Sequence, residues 1–326
     1  MAGTKFQGCA FLVLACLLSC SASMFVRNSG RVFKAPVLSG RTPTQPKTLV
    51  IIIGQPRGGQ IAWNSMTSNL LPPLNADFAT LFTNRWSDPR LESLAKYQWH
   101  VDEYDDWGHV FDSISASCGR RADAWHCLCD VPDQWLGGID ACKQPGSAGT
   151  LLAFRYFVWL EIQKHKLDKK YDFFVLTRAD HVYLCPHDDI TEIDTTSIWV
   201  PTGENYGGWT DRHIVAAGKP FVDAMHMTED IVCNAEWWTQ KLKNMSHGTI
   251  NLEVIQKTYW DHLGVTVKEL NRTMFTVRTQ NDPTSWSHGV EHPMLSKYGL
   301  KVKYETELVA STDRCFQKDL DKFFYT

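Results

Sequence analysis

Three polar side chains follow a strongly apolar stretch in the middle of the chain. Residues 173–177, FFVLT, predict a buried strand, because a short continuous apolar run is typical of a strand covered on both faces. Arg178, Asp180 and His181 come directly after this run. In an open α/β sheet, the carboxyl end of such a strand faces the crevice that binds ligands. An aspartate there can coordinate a hard divalent cation, and the cation can bind a diphosphate.

A second apolar run lies closer to the N-terminus. Residues 48–54, TLVIIIG, predict another core strand, and Ile61–Leu71 predicts a helix. A strand over Asp77–Phe82 completes a β-α-β unit. A glycine-rich turn between strand and helix opens many nucleotide-binding units, although any tight turn uses glycine. Arg57 in this turn either binds a phosphate or pairs with a carboxylate, and both roles stay open.

A polar loop is predicted between two apolar segments later in the chain. Residues 202–213, TGENYGGWTDRH, follow a short predicted strand at Ser197–Pro201 and precede the apolar residues Ile214–Ala217. Aromatic rings stack on sugar faces, and fixed polar groups bind hydroxyls, so the loop suits a polyhydroxylated ligand. The alternative is a structural turn in which Gly207 and Gly208 only shape the backbone.

The remaining elements predict an α/β fold with a mostly parallel sheet. A helix over residues 149–166 is apolar on nearly all sides and is expected to be buried. Its place directly before the strand at 173–177 fits a crossover connection between parallel strands. Further helices and strands are predicted over Pro220–Val232, Asn234–Asn244, Leu252–Leu263, Val265–Leu270 and Thr273–Arg278.

Composition excludes some classes of partner. The 326 residues carry a formal net charge of -3, so nothing indicates a nucleic-acid partner or an anionic membrane surface. The chain contains 13 Trp, and each of them serves either core packing or stacking against a sugar.

The N-terminus predicts entry into the secretory pathway. Residues 9–20 form an apolar run behind Lys5. Two interpretations of residues 1–26 remain open: a signal peptide cleaved near Ser21-Ala22-Ser23, or an uncleaved type II anchor that holds the protein in a membrane. A basic, proline-containing linker over residues 27–47 follows. Both interpretations place the protein in the lumen of the ER or Golgi, or outside the cell.

The cysteines agree with an oxidising compartment. Seven lie beyond the apolar run: Cys118, Cys127, Cys129, Cys142, Cys185, Cys233 and Cys315. They predict up to three disulfides and one free thiol. A zinc site is the competing interpretation, but one residue between Cys127 and Cys129 is a shorter gap than zinc ligands usually have.

Three blocks carry a resemblance to a known family: TLVIIIGQPRGG at 48–59, YDFFVLTRADHVYLC at 171–185 and IWVPTGENYGGWTDRHIVAAG at 198–218. The chain resembles the nucleotide-sugar glycosyltransferases of the GT-A type. The resemblance implies a single α/β/α sandwich over residues 48–326. It also implies a nucleoside diphosphate sugar as donor and a glycan or glycoprotein as acceptor.

The resemblance also implies a metal. In that family an Asp-x-Asp motif at a strand end binds Mn²⁺ or Mg²⁺, which bridges the diphosphate. Asp180 stands at the second acidic position, whereas Arg178 occupies the first and can itself neutralise phosphate. Mn²⁺ or Mg²⁺ is therefore the expected cofactor, with Asp180 and His288 as predicted ligands.

The implied catalytic residues are Arg178 and Asp211. Asp211 is the candidate base that takes the acceptor proton, although it can also bind a sugar hydroxyl or pair with Arg212. Glu204 and Glu253 are the alternative bases. The predicted nucleotide-sugar-binding residues are Gly54, Gln55, Arg57, Gly58, Arg178, Asp180, Asn205, Gly207, Gly208 and Arg212.

A second class of function stays open. The Trp and Tyr content and the missing first aspartate also fit a secreted or membrane-anchored protein that binds carbohydrate without catalysis. A hydrolase is less consistent with the sequence, because it contains neither a G-x-S-x-G nor an H-E-x-x-H motif.

Overall fold

Two β-sheets organise the fold of the described residues. The computed structural model describes residues 46–245, 249–279, 289–316 and 320–323. In this part of the chain the strands are β1 Thr48–Ile53, β2 Ala76–Thr83, β3 Tyr97–Val101, β4 Phe173–Arg178, β5 His181–Tyr183, β6 Ile198–Pro201, β7 Ile214–Ala217, β8 Val267–Leu270, β9 Met274–Thr279 and β10 Leu300–Val302. The helices are α1 Gly59–Asn69, α2 Pro89–Glu92, α3 Gly108–Ser117, α4 Ala148–His165, α5 Gly218–Met225, α6 Met227–Cys233, α7 Ala235–Lys243, α8 Leu252–Leu263, α9 Pro293–Ser296 and α10 Glu305–Cys315.

The larger sheet has seven strands in the order β3-β2-β1-β4-β7-β6-β8. Its pairings are parallel except at β7, which runs antiparallel to both of its neighbours. The smaller sheet, β10-β9-β5, is antiparallel. The prediction of an α/β fold with a mostly parallel central sheet is confirmed.

Helices and the smaller sheet cover the two faces of the larger sheet. In β1 every side chain is buried, and alternate residues belong to different cores. Leu49 and Ile51 pack in a core with α3 to α8, whereas Val50 and Ile52 pack in a core with α1, the smaller sheet and α10. A strand buried on both faces is predominantly apolar, which explains the run Leu49–Ile53 in the sequence.

Strand register determines which loops meet. Ile53 at the end of β1 pairs with Arg178 at the end of β4, so the turns after these two parallel strands lie at one edge of the sheet. Because β7 is antiparallel to β4, its first residue Ile214 pairs with Leu176 near the same end. The polar loop 202–213, which leads into β7, therefore reaches the edge where β1 and β4 end.

Two helix predictions differ from the structure. The predicted helix over Pro220–Val232 is divided into α5 and α6 at His226, whose ring packs on Trp159 with the centroids 5.2 Å apart. Helix α4 is not buried on all sides, because Leu160 is 36 % exposed and Tyr156 stacks on Trp159 at a partly exposed face. Only the stripe that includes Leu152, Val158 and Ile162 lies in the core.

Three disulfides pin the fold, and the sequence prediction of three bridges and one thiol is confirmed in the described residues. The bridges are Cys118–Cys233, Cys129–Cys142 and Cys185–Cys315. Cys127 is the free cysteine in this part of the chain. The Cys185–Cys315 bridge joins the segment after β5 to the end of α10, across 130 positions of sequence.

The predicted N-terminal signal or anchor, residues 1–26, and most of the 27–47 linker lie outside the described residues. Within the described ranges, no helix is both long enough and apolar enough to cross a bilayer.

We expect the Cys185–Cys315 bridge to stabilise the fold by about 2–4 kcal/mol, because it restricts a long loop in the unfolded chain. The double variant C185S/C315S should lose that amount in thermal or denaturant unfolding. The matched control is Cys127→Ser, which removes a thiol but no bridge and should melt close to wild type. Alkylation of Cys185 in the folded, unreduced protein would contradict the assignment.

Candidate functional site

The site lies at the sheet edge where β1 and β4 end and β7 begins. Gly54 follows β1 with a positive φ of 91°, a conformation that favours glycine, and a Cβ there would meet nothing within 4 Å. The space around Gly58 is filled, unlike that around Gly54. A Cβ on Gly58 would come within 3.0 Å of the Ala179 carbonyl oxygen and 3.1 Å of the Asp180 Cα. The missing side chain therefore lets the start of α1 pack on the turn after β4.

Arg178 and Asp180 form a bidentate ion pair in that turn. The Nε and Nη2 atoms of Arg178 each donate to one carboxylate oxygen of Asp180 at 2.8 Å. Asp180 is 3 % exposed. Burial opposes ionisation of Asp180, but the charge and hydrogen bonds of Arg178 outweigh it and hold the pKa of the carboxyl well below its ordinary value. The carboxylate of Asp180 is thus ionised and already engaged.

The polar loop is fastened to the first turn of α8. A Cβ on Gly208 would lie 1.9 Å from the Glu253 carbonyl oxygen, so the loop backbone touches the helix backbone there. Gln256 donates to the carbonyls of Trp209 and Thr210 at 3.2 and 3.0 Å. Asn251, the N-cap of α8, donates to the carbonyl of Tyr206 at 3.0 Å. The loop conformation is therefore imposed by the helix as well as by the sheet.

This packing brings together two carboxylates, Asp211 and Glu253. Burial and then the negative charge of Asp211 raise the pKa of Glu253 to about 7. Arg155, from the buried side of α4, donates from Nη2 to the Asp211 carbonyl at 3.3 Å. Its guanidinium is 1 % exposed and interacts electrostatically with both carboxylates. The pair can hold or release one proton near neutral pH.

Arg212 is held between aromatic rings and carboxylates. Its guanidinium carbon lies 3.9 Å from the ring centroid of Tyr304 and 5.6 Å from that of Tyr206. Nη1 lies 3.2 Å from Glu204 and 3.1 Å from the fully buried Glu307. The positive charges of Arg212 and Arg272 keep the pKa of Glu307 at about 2 despite burial.

Two cavities open at this edge of the sheet. The carboxylate cavity, about 280 Å³, is lined by Gln134, Ser147, Ala148, Leu151, Arg178, Tyr206, Asp211, Arg212, Asn251, Leu252, Glu253, Lys303 and Tyr304. The tryptophan cavity, about 170 Å³, is lined by Ile53, Gly54, Gln55, Arg57, Thr83, Trp86, Glu103, Trp107, Ser147, Thr150, Leu151, Phe154, Arg178, Asp180 and Lys303. Ser147, Leu151, Arg178 and Lys303 line both, and we call these four residues the junction.

The structure places most of the predicted residues in this crevice. Gly54, Gln55, Arg57, Arg178 and Asp180 line the tryptophan cavity. Asp211 and Arg212 line the carboxylate cavity with Arg178.

Other predicted residues have different places. Asn205, Gly207 and Gly208 line neither cavity, and the contacts of Gly208 and Asn205 lie within the loop or against neighbouring elements. Gly58 packs beneath the Asp180 turn, as described above. His288, a predicted metal ligand, lies outside the described residues.

Sequence reasoning missed several lining residues. Lys303 and Tyr304 follow β10, a three-residue strand without a long apolar run. Trp86 and Trp107 lie in the region before α4, where the sequence pattern predicts few elements. Arg155 interacts with the carboxylate pair without lining either cavity, and it lies inside a helix predicted as buried. An arginine in an otherwise apolar helix segment was the one signal available, because a buried cation needs an anionic partner.

In the part of the chain that the structure describes, the residues at the strand end do not form a metal site. Both carboxylate oxygens of Asp180 accept hydrogen bonds from Arg178. Arg178 also stands where an Asp-x-Asp motif would have its first aspartate. Across the described ranges, no group of three His, Cys, Asp or Glu side chains is arranged to hold a metal ion. Among the described residues, the donor set at Asp180 therefore does not fit Mn²⁺ or Mg²⁺.

A buried histidine chain lies directly beneath the site. His187 donates from Nδ1 to the Asp188 carbonyl at 2.8 Å, so Nε2 of the neutral ring accepts from Nε2–H of His213 at 3.1 Å. Nδ1 of His213 then accepts from the Thr177 hydroxyl at 3.1 Å. An additional proton on His187 would set its Nε2–H against the Nε2–H of His213. Neutral rings therefore satisfy every hydrogen bond of this chain.

The pKa values agree with this geometry. Burial lowers the pKa of His181 to about 4 and lowers the pKa of His187 and His213 as well. Between about pH 6.5 and pH 5 the unfolded chain binds protons on these histidines that the folded chain does not. The free energy of unfolding should therefore fall as the pH falls, by about 2 kcal/mol at pH 5 from His181 alone.

The raised pKa of Glu253 makes the free energy of unfolding rise as the pH falls over the same range. The effect of the histidines is therefore measured in the Glu253→Gln variant, which lacks this opposing contribution. Thermal midpoints from pH 7 to pH 5 should decrease steadily. A flat profile in that background would contradict neutral histidines in the folded state. The variant H181Q in the same background should show a shallower decrease.

No protein-family model matches the chain, and no curated protein matches its sequence.

Proposed function

We propose that the protein is a glycosyltransferase of the GT-A type that transfers a sugar from a nucleoside diphosphate sugar to a glycan or glycoprotein. The observation that carries the proposal is the arrangement at Arg178. There a cavity lined by aromatic rings and the Gly54–Arg57 turn meets a second cavity that contains the carboxylate pair. A nucleoside diphosphate sugar has a base at one end, a diphosphate in the middle and a sugar at the other end. This order matches the first cavity, Arg178 and the second cavity.

The tryptophan cavity suits the nucleoside. Trp86 is 38 % exposed, with the Arg85 guanidinium 5.1 Å from its ring centroid, and Trp107 and Glu103 line the same space. Gly54 lines this cavity without a side chain, and the space around its Cα is open. The carboxylate cavity suits the sugar and the acceptor, because two tyrosines and the amide of Asn251 line it among charged groups.

The chemistry requires a base and a stabilised leaving group. In the proposed step the bond from the anomeric carbon to the diphosphate oxygen breaks, and its electron pair leaves on that oxygen. The acceptor oxygen forms the new bond to the anomeric carbon and loses its proton to the pair Asp211 and Glu253. A carboxyl with a pKa of about 7, as at Glu253, is matched to proton transfer at neutral pH. Arg178 faces the leaving diphosphate.

The proposed function also implies that the protein acts in the secretory pathway. Three disulfides in the described residues fit an oxidising environment, such as the ER or Golgi lumen or the cell exterior. The donor, the acceptor and the N-terminal segment would then meet in the secretory pathway.

We expect nucleoside diphosphates to stabilise the protein, since a ligand that binds only the folded state raises the melting temperature. A panel of UDP, GDP, ADP and CDP should include at least one compound that shifts the midpoint upward. Arg178→Lys keeps the charge but loses the bidentate geometry and should reduce the shift. A shift with free glycans alone would favour the alternative, a carbohydrate-binding protein without catalysis.

We expect Glu253→Gln to slow sugar transfer by about 10²–10⁴-fold, the range for loss of a general base. The wild-type pH–rate profile should show a limb near pH 7 that this variant lacks. Asp211→Asn should move the limb to lower pH, because it removes a negative charge that raises the pKa of Glu253. The matched control is Glu236→Gln, an exposed glutamate in the first turn of α7, which should transfer at the wild-type rate. An unchanged profile in both site variants would contradict the assigned roles.

A further inference from the structure

The junction between the two cavities concentrates positive charge. Arg178 and Lys303 line both cavities, and Arg57 lines the tryptophan cavity beside them. Asp180 offsets one of these three charges through its ion pair with Arg178. The carboxylates of Asp211 and Glu253 line the carboxylate cavity, and that of Glu103 lines the tryptophan cavity. At the junction itself, Arg178 and Lys303 place two cations in a partly enclosed space.

The first turn of α4 adds to this field. Helix α4 has 18 residues and begins at Ala148, and Ser147 and Ala148 both line the carboxylate cavity. Ser147, at the N-cap, makes no capping hydrogen bond with its side chain. The positive end of the helix dipole therefore faces the junction, which favours an anion there.

The cations at the junction repel one another when no anion is bound. Burial and, next, the positive charge of Arg178 lower the pKa of Lys303 to about 8. Arg212 and Arg57 act on Lys303 in the same direction, whereas Asp180 acts against them. A bound anion with several oxygens would relieve this repulsion and would accept hydrogen bonds from ammonium and guanidinium groups.

We propose that the junction is a metal-independent pyrophosphate site, in which Lys303 and Arg178 supply the positive charge that a divalent cation supplies in a metal-dependent site. The proposal rests on the proposed function and names its donor-binding chemistry. The hydrogen bonds of Asp180 are consistent with a metal-independent site, because Arg178 donates to both oxygens of its carboxylate. During transfer, the two side chains stabilise the electron pair that remains on the diphosphate when its bond to the sugar breaks.

The test compares diphosphates with monophosphates when no free metal is present. Calorimetric titrations of UDP, UMP, GDP and GMP are run in EDTA and again with Mn²⁺. In EDTA, the diphosphate that binds should do so at least about 10-fold more tightly than its monophosphate, because of charge-assisted hydrogen bonds to the second phosphate. Lys303→Met should remove most of that ratio and leave monophosphate binding near wild type. A merely structural role for Lys303 would weaken both nucleotides alike.

Two further variants sharpen the result. Lys303→Arg keeps a cation at the junction and should retain a diphosphate preference. Lys301→Met removes a lysine two residues earlier, which pairs with Glu291 and lines neither cavity, and should leave both affinities unchanged. Diphosphate binding that requires Mn²⁺ would overturn the metal-independent site while leaving the proposed function in place. An unchanged ratio in Lys303→Met would overturn the role of Lys303. Absence of nucleotide binding under either condition would overturn the proposed function as well.

Discussion

The direction of β7 relative to β4 determines which loops meet at the site. If β7 were parallel to β4, its N-terminal loop would lie at the opposite edge of the sheet, because parallel strands begin at the same edge. The observed antiparallel pairing of Leu176 with Ile214 instead brings loop 202–213 to the end of β4. Asp211 and Arg212 therefore lie beside Arg178. The crevice exists because one strand of a mostly parallel sheet is reversed.

A buried ionic network then holds the loop against the second sheet. Glu307, from α10, accepts from Arg212 and from Arg272 at 3.1 Å each, and its other oxygen accepts from the backbone N–H of Thr276 at 2.7 Å. Removing one partner from such a network leaves a charge buried without compensation, which costs far more than an exposed ion pair contributes. The loop, β9 and α10 are therefore coupled to one another. Tyr304, just before α10, takes its place over Arg212 through the same coupling.

The sequence predicted the elements whose pattern depends on burial alone. Strands β1 and β4 consist mainly of apolar residues because they are covered on both faces. Helix α8 begins after an Asn cap and ends before Gly264, which is in the left-handed conformation. Pattern could not reveal the direction of β7, since periodicity is the same in either direction. It also could not show whether Gly208 makes room for a ligand or for another backbone, and the structure shows that it packs on α8.

The half of the site contributed from late in the chain was the least predictable. Lys303 and Tyr304 lie between a three-residue strand and a helix with a polar sequence. No long hydrophobic run in this region predicts the elements that position them. Their position depends on pairing of β10 with β9 and on the Cys185–Cys315 bridge, which are contacts between distant parts of the chain. The cationic character of the junction arises only when these segments come together.

The two cavities draw their linings from different parts of the chain, and only four residues are common to both. The tryptophan cavity uses mainly residues before position 155, whereas most of the polar lining of the carboxylate cavity comes from residues after 205. Substitutions at Tyr206, Asn251 or Tyr304 can thus reshape one compartment while the other keeps its walls. During evolution, a fold divided in this way can change its preference for one part of a ligand and still bind the rest.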